Sequence, residues 1–218
     1  MIDYDTFKLK NPFKRFKNLK KTDENIICWS KPFDDEVFEQ MILDTKPKII
    51  FELGSFLGYS TIKLINFCKK HGLDNVKVLC IDTWLGGSEH WTHEKNTMVD
   101  KFNFCDSISN LYDQFCKNII LNKCENNVIT LPNTTDVMFD VLSFYNIKAD
   151  LIFVDASHDY NSVKRDLFNY NNLLNENGII YGHDWNWEGV NNAVREFLQS
   201  YNTKKVKSLH NKFYKIYD

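Results

Sequence analysis

The chain has 218 residues, 43% of them hydrophobic and 15% aromatic, so it can bury one full-sized core but is short for two. Its formal net charge of -2 gives no global reason to expect nucleic acid or an anionic membrane as a partner. No apolar stretch approaches the ~18 residues that span a bilayer, and the lysine-rich N-terminus does not have the pattern of a secretory signal. We therefore expect a soluble, cytoplasmic protein.

The N-terminus differs in composition from the rest of the chain. We divide the chain into a basic extension at residues 1–32 and one domain at 33–218. Residues 8–21 contain seven basic residues and no acidic residue. We interpret this stretch as a solvated arm. The alternatives are a contact between copies in a homo-oligomer and docking on an anionic surface.

The domain begins with a helix predicted over 36–44, which Pro47 separates from the first strand. Apolar strands then alternate with helix-length segments, an order typical of a parallel sheet with right-handed crossovers. Strands are predicted at 48–53, 76–81, 128–131, 151–154 and 178–181, and helices at 59–70, 107–121, 136–144, 161–174 and 190–200. The segments 205–209 and 212–217 alternate around a turn and predict a closing antiparallel hairpin. The predicted fold is α/β, a Rossmann-like doubly wound sheet of seven strands that is mostly parallel.

A glycine loop follows the first strand and has the pattern Glu52-x-Gly54-x-x-x-Gly58. Gly54 can adopt backbone angles closed to other residues, and Gly58 lets the next helix lie close to the strand, so a ligand can reach backbone amides. Dinucleotide sites instead have the pattern Gly-x-Gly-x-x-Gly, and the acid Glu52 would repel a pyrophosphate. It would suit a cofactor with a cationic amino-acid end. We expect that cofactor to contact the loop through Glu52, Gly54, Ser55, Gly58 and Ser60.

Ligand groups are expected directly after each strand, because the carboxyl ends of parallel strands meet at one crevice. Asp82 ends the second strand, where a carboxylate can accept both hydroxyls of a ribose. Thr83 and Trp84 follow it, and we expect both to contact the cofactor, with Trp84 packed beside it. After the third strand, Thr135 either holds the adenine edge or caps the next helix.

The interval between the second and third strands, at 84–126, is unusually long, and loops of that length are usually functional. Its first part is rich in aromatic residues, polar residues and glycine, as expected of an active-site flap. A disordered insertion is the alternative. His90 and His93 lie in this stretch and are interpreted as solvent-exposed.

The ends of the fourth and fifth strands contain Asp155, His158, His183 and Asp184. If both ends face the crevice, two carboxylates lie beside the reactive end of the cofactor, and they repel each other unless a cation or a proton lies between them. Mg²⁺ would satisfy both carboxylates, could bind two vicinal substrate hydroxyls and could acidify one of them. His158 is then placed to take that proton, and His183 is a second candidate, as ligand or base.

Structural interpretations of these residues remain open. Asp155 could cap the helix that starts near Tyr160, with His158 hydrogen-bonded inside the same turn. His183 and Asp184 could form a hydrogen-bonded pair without a catalytic role.

The chain resembles the class I S-adenosylmethionine-dependent methyltransferases, in a branch that includes macrolide-sugar O-methyltransferases (the methyltransferase 24-like family). The segments with this resemblance are Glu-Leu-Gly-Ser-Phe-Leu-Gly at 52–58, Ile-Asp-Thr-Trp-Leu-Gly at 81–86, Phe-Val-Asp-Ala-Ser-His-Asp-Tyr at 153–160 and Gly-His-Asp-Trp at 182–185. The resemblance implies S-adenosylmethionine as the cofactor. It also implies that Asp155 and Asp184 bind Mg²⁺ and that His158 is the base. Where some relatives have a carboxylate before that second acid, this chain has His183, which we include as a candidate ligand.

The resemblance implies methyl transfer to a hydroxyl of a sugar, a glycan precursor or a related small molecule, with metal assistance. A non-catalytic scaffold that binds S-adenosylmethionine is an alternative. A nucleic-acid methyltransferase would need a basic groove and an Asn-Pro-Pro-Tyr-like motif, neither of which the sequence shows. A nicotinamide oxidoreductase is disfavoured by the glycine spacing. The partner we expect is therefore a small-molecule or glycan acceptor, without nucleic acid or membrane.

Overall fold

The computed structural model describes residues 2–16, 34–87, 91 and 110–218. Within these residues, seven strands form one sheet in the order β3-β2-β1-β4-β5-β7-β6. Strands β1 to β5 are parallel to one another, and β7 is antiparallel to both β5 and β6. The strands are β1 (Ile49–Leu53), β2 (Lys77–Asp82), β3 (Val128–Pro132), β4 (Ala149–Val154), β5 (Leu174–Gly182), β6 (Lys205–Leu209) and β7 (Phe213–Tyr217). This confirms the predicted fold, including the terminal hairpin.

The helices pack on this sheet close to the predicted positions. They are α1 (Asp34–Thr45), α2 (Tyr59–Lys70), α3 (Leu111–Leu121), α4 (Thr135–Phe144), α5 (Tyr160–Asn171) and α6 (Glu188–Gln199). The predicted end of the fifth of these, at residue 174, is wrong. Helix α5 ends at Asn171, because Leu174 already pairs with Ala149 as the first residue of β5. None of the described helices is both long and apolar enough to cross a membrane.

The strand register places the functional segments at one level. Leu53 at the end of β1 pairs with Ile81 of β2 and with Val154 of β4, and Val154 pairs with Gly182 of β5. Strands β2 and β3 extend the sheet on one side of β1, and β4 and β5 extend it on the other side. The direction in which strands are added therefore reverses between β1 and β4. Open parallel sheets bind ligands at such a switch, outside the carboxyl ends of the strands.

The described part of the basic extension packs on the domain. Tyr4, Phe7 and Phe13 are buried, whereas Lys8 and Lys10 are exposed. The Tyr4 hydroxyl accepts a hydrogen bond from the backbone N–H of Thr130, at 3.1 Å, on the edge strand β3. This contact covers part of an otherwise exposed strand edge, and such edges promote association when left bare.

Candidate active site

A cavity of about 850 Å³ opens at the carboxyl ends of β1 to β5. Its size suits a cofactor with its substrate. The segments that follow the strands line it, at 54–57, 82–83, 133–136, 155–158 and 183–184. Helix α1, the start of α6 and the terminal hairpin add further lining residues: Asp34, Phe38, Trp187, Lys212 and Phe213. The structure therefore brings together the loops that the strand-end argument selected.

The two glycines of the loop have different structural roles. Gly54 has a φ of +85°, and a Cβ there would lie 2.2 Å from the carbonyl oxygen of Asp155, so the backbone after β4 passes directly over this residue. Gly58 faces Phe115 and Ile119 of α3, at 3.1 Å and 3.2 Å from its own hypothetical Cβ. The predicted close approach at Gly58 thus exists, but it is to helix α3 rather than to the preceding strand.

Glu52 does not line the cavity, which corrects its predicted contact with the cofactor. Its side chain is fully buried and accepts hydrogen bonds from the hydroxyls of Ser55, Ser60 and Thr61, at 2.5, 2.7 and 2.5 Å. Burial raises the pKa of this carboxyl, and the three hydroxyl donors partly offset the rise. Glu52 therefore ties the glycine loop to the first turn of α2, instead of facing a cationic ligand.

Asp82 lines the cavity, as predicted, and also fixes the shape of the glycine loop. One carboxylate oxygen accepts the backbone N–H groups of Ser55 and Phe56, at 2.9 and 2.8 Å. The other accepts the N–H of Trp84 at 2.7 Å. Phe56 and Trp84 both have positive φ, at 44° and 51°, so these bonds hold backbone that is strained for residues with a Cβ. A variant at Asp82 consequently tests the loop as well as the ribose contact.

Trp84 and Thr135, two further residues predicted near the cofactor, differ in their position relative to the cavity. Trp84 is buried, with its ring against Tyr112 and Phe115 at 4.7 and 5.0 Å, and it is not among the lining residues. The expectation that its ring packs beside the cofactor is therefore wrong, because the turn after Asp82 points the indole into the core. Thr135 lines the cavity, but its hydroxyl donates to the buried Asp166 at 2.6 Å rather than capping a helix. Burial raises the pKa of Asp166 to about 6.

The four residues at the ends of β4 and β5 form one cluster, which we call the Asp–His cluster (Asp155, His158, His183 and Asp184). An oxygen of Asp184 lies 3.1 Å from Nε2 of His158 and 2.9 Å from Nδ1 of His183. An oxygen of Asp155 lies 3.9 Å and 3.4 Å from the same two nitrogens. All four side chains are between 17% and 26% exposed and line the cavity. The helix cap is Asp159, which accepts the Ser162 N–H, so Asp155 is not used as a cap.

The predicted flap falls largely outside the described residues. This applies to His90 and His93, so their expected exposure stays a prediction. Asp34, Trp187 and Lys212 also line the cavity, although they are not among the residues predicted for the site. The run of aromatic and charged residues after β5 is the signal that could have pointed to Trp187.

Residues 51–185 match the methyltransferase 24 family, described as a methyltransferase domain. The chain belongs to this family. Among curated proteins, none matches its sequence. The family and the sheet topology together identify a class I, S-adenosylmethionine-dependent methyltransferase.

Solved structures share the fold of this methyltransferase at low identity. A candidate O-methyltransferase from Klebsiella pneumoniae is 13% identical with a TM-score of 0.63, and the match covers 98% of this chain and 93% of that one. The O-methyltransferase NovP is 14% identical with a TM-score of 0.62, over 84% and 78% of the two chains. The O-methyltransferase from Bacillus cereus in complex with SAH (S-adenosylhomocysteine) is 15% identical with a TM-score of 0.60, over 99% and 94%. At such identities the likeness shows the fold alone.

The electrostatics of the Asp–His cluster favour charged imidazoles in the metal-free methyltransferase. Burial alone would lower the pKa of each histidine, but the two carboxylates outweigh it and raise the pKa of His158 to about 10 and that of His183 to about 9. Burial alone would raise the pKa of Asp184, and its two imidazole partners instead hold that pKa well below the usual range. In the cluster, the positive imidazoles balance the negative carboxylates. A bound cation could take over this role of the imidazoles.

This charge pattern predicts a pH-dependent contribution to the stability of the metal-free methyltransferase. Because folding raises the pKa values of His158 and His183, these residues stabilise the folded state in full below pH 6.5, the pKa of histidine in the unfolded chain. This stabilisation is lost as the pH rises through about 9 and 10. The lowered Asp184 pKa gives a contribution that is complete above 3.8 and is lost as the pH falls toward the folded value. Asp184→Asn should therefore lower the free energy of unfolding more at pH 6.5 than above pH 10, in urea titrations with chelator. A deficit that is equal at both pH values would contradict this assignment.

The donor set of the cluster fits a divalent cation. Asp155, His158 and Asp184 each offer one ligand atom, and the three atoms lie within 4.8 Å of one another. His183 was predicted as the third ligand, and its Nδ1 is nearer to both carboxylates than Nε2 of His158 is. Carboxylate oxygens suit Mg²⁺, while mixed oxygen and imidazole sets also bind transition metals.

Proposed function

We propose that this methyltransferase transfers the methyl group of S-adenosylmethionine to a hydroxyl of a sugar, a glycan precursor or a related small molecule. The main support is the Asp–His cluster, which lies in the same cavity as the glycine loop and Asp82. Two acids and two imidazoles beside a methyl donor can bind a hydroxyl and remove its proton. Several structural neighbours are named as O-methyltransferases, which also favours oxygen as the acceptor atom.

The protein groups have separate roles in the proposed reaction. Gly54, Ser55 and Asp82 would hold the cofactor, whose sulfonium would supply an electrophilic methyl group in the cavity that the Asp–His cluster also lines. The acceptor oxygen must lie in line with the methyl–sulfur bond, and alignment of this kind supplies much of the rate in such a displacement. His158 accepts the hydroxyl proton as the oxygen attacks.

Metal assistance is part of the proposal. Asp155 and Asp184 would hold the cation, with His183 as the third ligand because its Nδ1 lies 3.4 Å and 2.9 Å from the two carboxylates. A bound Mg²⁺ would lower the pKa of a coordinated hydroxyl. His158 must lose its own proton before it can act as a base, since the carboxylates raise its pKa to about 10 in the metal-free state.

The cofactor site is tested by calorimetric titration of S-adenosylhomocysteine into the wild type, Asp82→Asn and Asp82→Ala, each with Mg²⁺ and with chelator. We expect micromolar binding by the wild type and a loss on the order of 100-fold in Asp82→Ala, because that change removes a ribose acceptor and three backbone hydrogen bonds. Asp82→Asn keeps an oxygen acceptor and should lose less. Absence of binding to the wild type would reject the proposed function.

The transfer itself is tested with a panel of methyl glycosides and sugar nucleotides, by following methylated product in the presence of Mg²⁺. Product that depends on both the metal and the Asp–His cluster supports the proposal. Turnover that is unchanged by Asp184→Asn would instead fit a different acceptor chemistry, and cofactor binding without product from any acceptor would fit a scaffold.

A further inference from the structure

An exposed tryptophan lines the cavity beside the Asp–His cluster. Trp187 is 47% exposed, and its ring centroid lies 4.8 Å from that of His158. Gly189 permits this arrangement, because a Cβ there would lie 2.7 Å from the carbonyl oxygen of His158, so α6 begins directly against that loop. When a ring of a ligand stacks on an indole face inside a cavity, apolar surface is removed from water, which favours binding.

A polar pair lines the same cavity. Nζ of Lys212, in the terminal hairpin, lies 3.1 and 3.3 Å from the two carboxylate oxygens of Asp34 at the start of α1. Asp34 is only 3% exposed, and Phe213, next to Lys212, packs against His183 with ring centroids 4.7 Å apart. Trp187 therefore packs against one imidazole of the cluster and Phe213 against the other, and the Asp34–Lys212 pair lines the same cavity.

We propose that Asp34, Trp187 and Lys212 form an acceptor subsite that binds an uncharged pyranose ring. The C–H face of the ring would stack on Trp187, and its hydroxyls would accept from Lys212 and donate to Asp34. The charges of Lys212 and Asp34 compensate each other, so the pair favours hydroxyls over an anionic group. One ring hydroxyl would then lie against the Asp–His cluster. This inference rests on the proposed function, since it names the acceptor of the same site.

A planar aromatic acceptor would fit the subsite less well. It could stack on Trp187, but its flat edge would cover the Asp34–Lys212 pair while offering few hydrogen bonds. Covering charged groups without new partners costs free energy. The combination of an aromatic face with a donor and acceptor pair therefore selects a polyhydroxylated ring.

The test uses saturation-transfer difference NMR on the full chain loaded with S-adenosylhomocysteine and Mg²⁺. The probes are methyl glycosides of hexoses and 6-deoxyhexoses, with catechol as the planar comparison. We expect the protons of one ring face to receive saturation, and the glycoside Kd to rise about tenfold or more in Trp187→Ala. Trp187→Phe should restore most of the affinity. Phe144→Ala is the matched control, because Phe144 is an 82% exposed aromatic residue that is not among the cavity-lining residues.

The outcomes separate the subsite from the proposed function. Glycoside binding that is equal in the wild type and Trp187→Ala overturns the subsite, as does a preference for catechol or binding to no glycoside of the panel. Those results leave cofactor binding and methyl transfer to another hydroxyl intact. The proposed function fails differently, when the wild type does not bind S-adenosylhomocysteine or transfers no methyl group to any hydroxyl.

Discussion

Replacing Asp184 with asparagine is expected to lower kcat/KM for methyl transfer by at least ~10³-fold, or about 4 kcal/mol of transition-state stabilisation. Asp184 is the one carboxylate within 3.1 Å of both imidazoles of the cluster. The variant removes a negative charge from the proposed metal site and leaves the shape of the side chain nearly unchanged. Asp184 has a φ of 55°, a conformation that asparagine tolerates well, so the backbone should be preserved.

The measurement compares kcat/KM, S-adenosylhomocysteine affinity and Mg²⁺ affinity in the same preparation. We expect cofactor affinity to change less than about threefold, because Asp184 belongs to the cluster and not to the glycine loop. Mg²⁺ affinity should fall by 10-fold or more, on the order expected when a ligand is weakened. A loss of activity with unchanged metal affinity would instead favour a purely electrostatic role for Asp184.

Asp159→Asn is the matched control for this experiment. Asp159 lies next to His158 and caps α5 by accepting the Ser162 N–H at 3.0 Å, a task that asparagine performs as well. The same chemical change one residue from the cluster should therefore leave kcat/KM within about twofold. Equal losses in the two variants would mean that the local loop, and not the Asp184 charge, determines activity.

Local sequence patterns are sufficient to predict the helices and strands and to group the residues of the Asp–His cluster. The bounds of helix α2 match the prediction, and those of the strands match within a few residues. The periodicity of hydrophobic residues and the glycines that end segments are both local signals. Asp155, His158, His183 and Asp184 were grouped because parallel strands bring their carboxyl ends to one edge. This topological rule is independent of side-chain packing, so it needs no structure.

The contacts that the sequence could not show are those set by packing across long separations. Nothing local indicates that Lys212 pairs with Asp34, which lies 178 positions earlier. Glu52 was assigned to the cofactor because its position in the loop suits a cationic ligand, yet its rotamer buries the carboxylate among three hydroxyls. Trp84 was misassigned for the same reason, since which side of a turn an indole occupies depends on the core behind it.

Gly54→Ala is expected to be among the most disruptive single-methyl changes in this chain, with a loss of at least ~3 kcal/mol in the free energy of unfolding. The added Cβ would lie 2.2 Å from the carbonyl oxygen of Asp155 and 2.7 Å from Cα of Ala156, both backbone atoms that cannot rotate away. The two loops are also held in place, because Asp155 N–H donates to Leu53 at 2.8 Å and Gly54 N–H donates to Ile81 at 2.9 Å. Any relief of the overlap must therefore separate the glycine loop from the Asp–His cluster.

Gly72→Ala isolates the conformational part of that cost. Gly72 has a φ of +75°, close to that of Gly54, but a Cβ there would meet no atom within 4 Å. Its substitution should cost only about 1–2 kcal/mol, the penalty of a left-handed conformation, and should leave S-adenosylhomocysteine binding intact. Urea unfolding of both variants gives the steric part as the difference between their losses in unfolding free energy, and calorimetric titration checks cofactor binding. If Gly54→Ala shows no cooperative unfolding transition, its loss in unfolding free energy exceeds that of Gly72→Ala. Equal losses in the two variants would show that the backbone after β4 yields at Gly54, and that the cofactor loop and the cluster are not rigidly joined there.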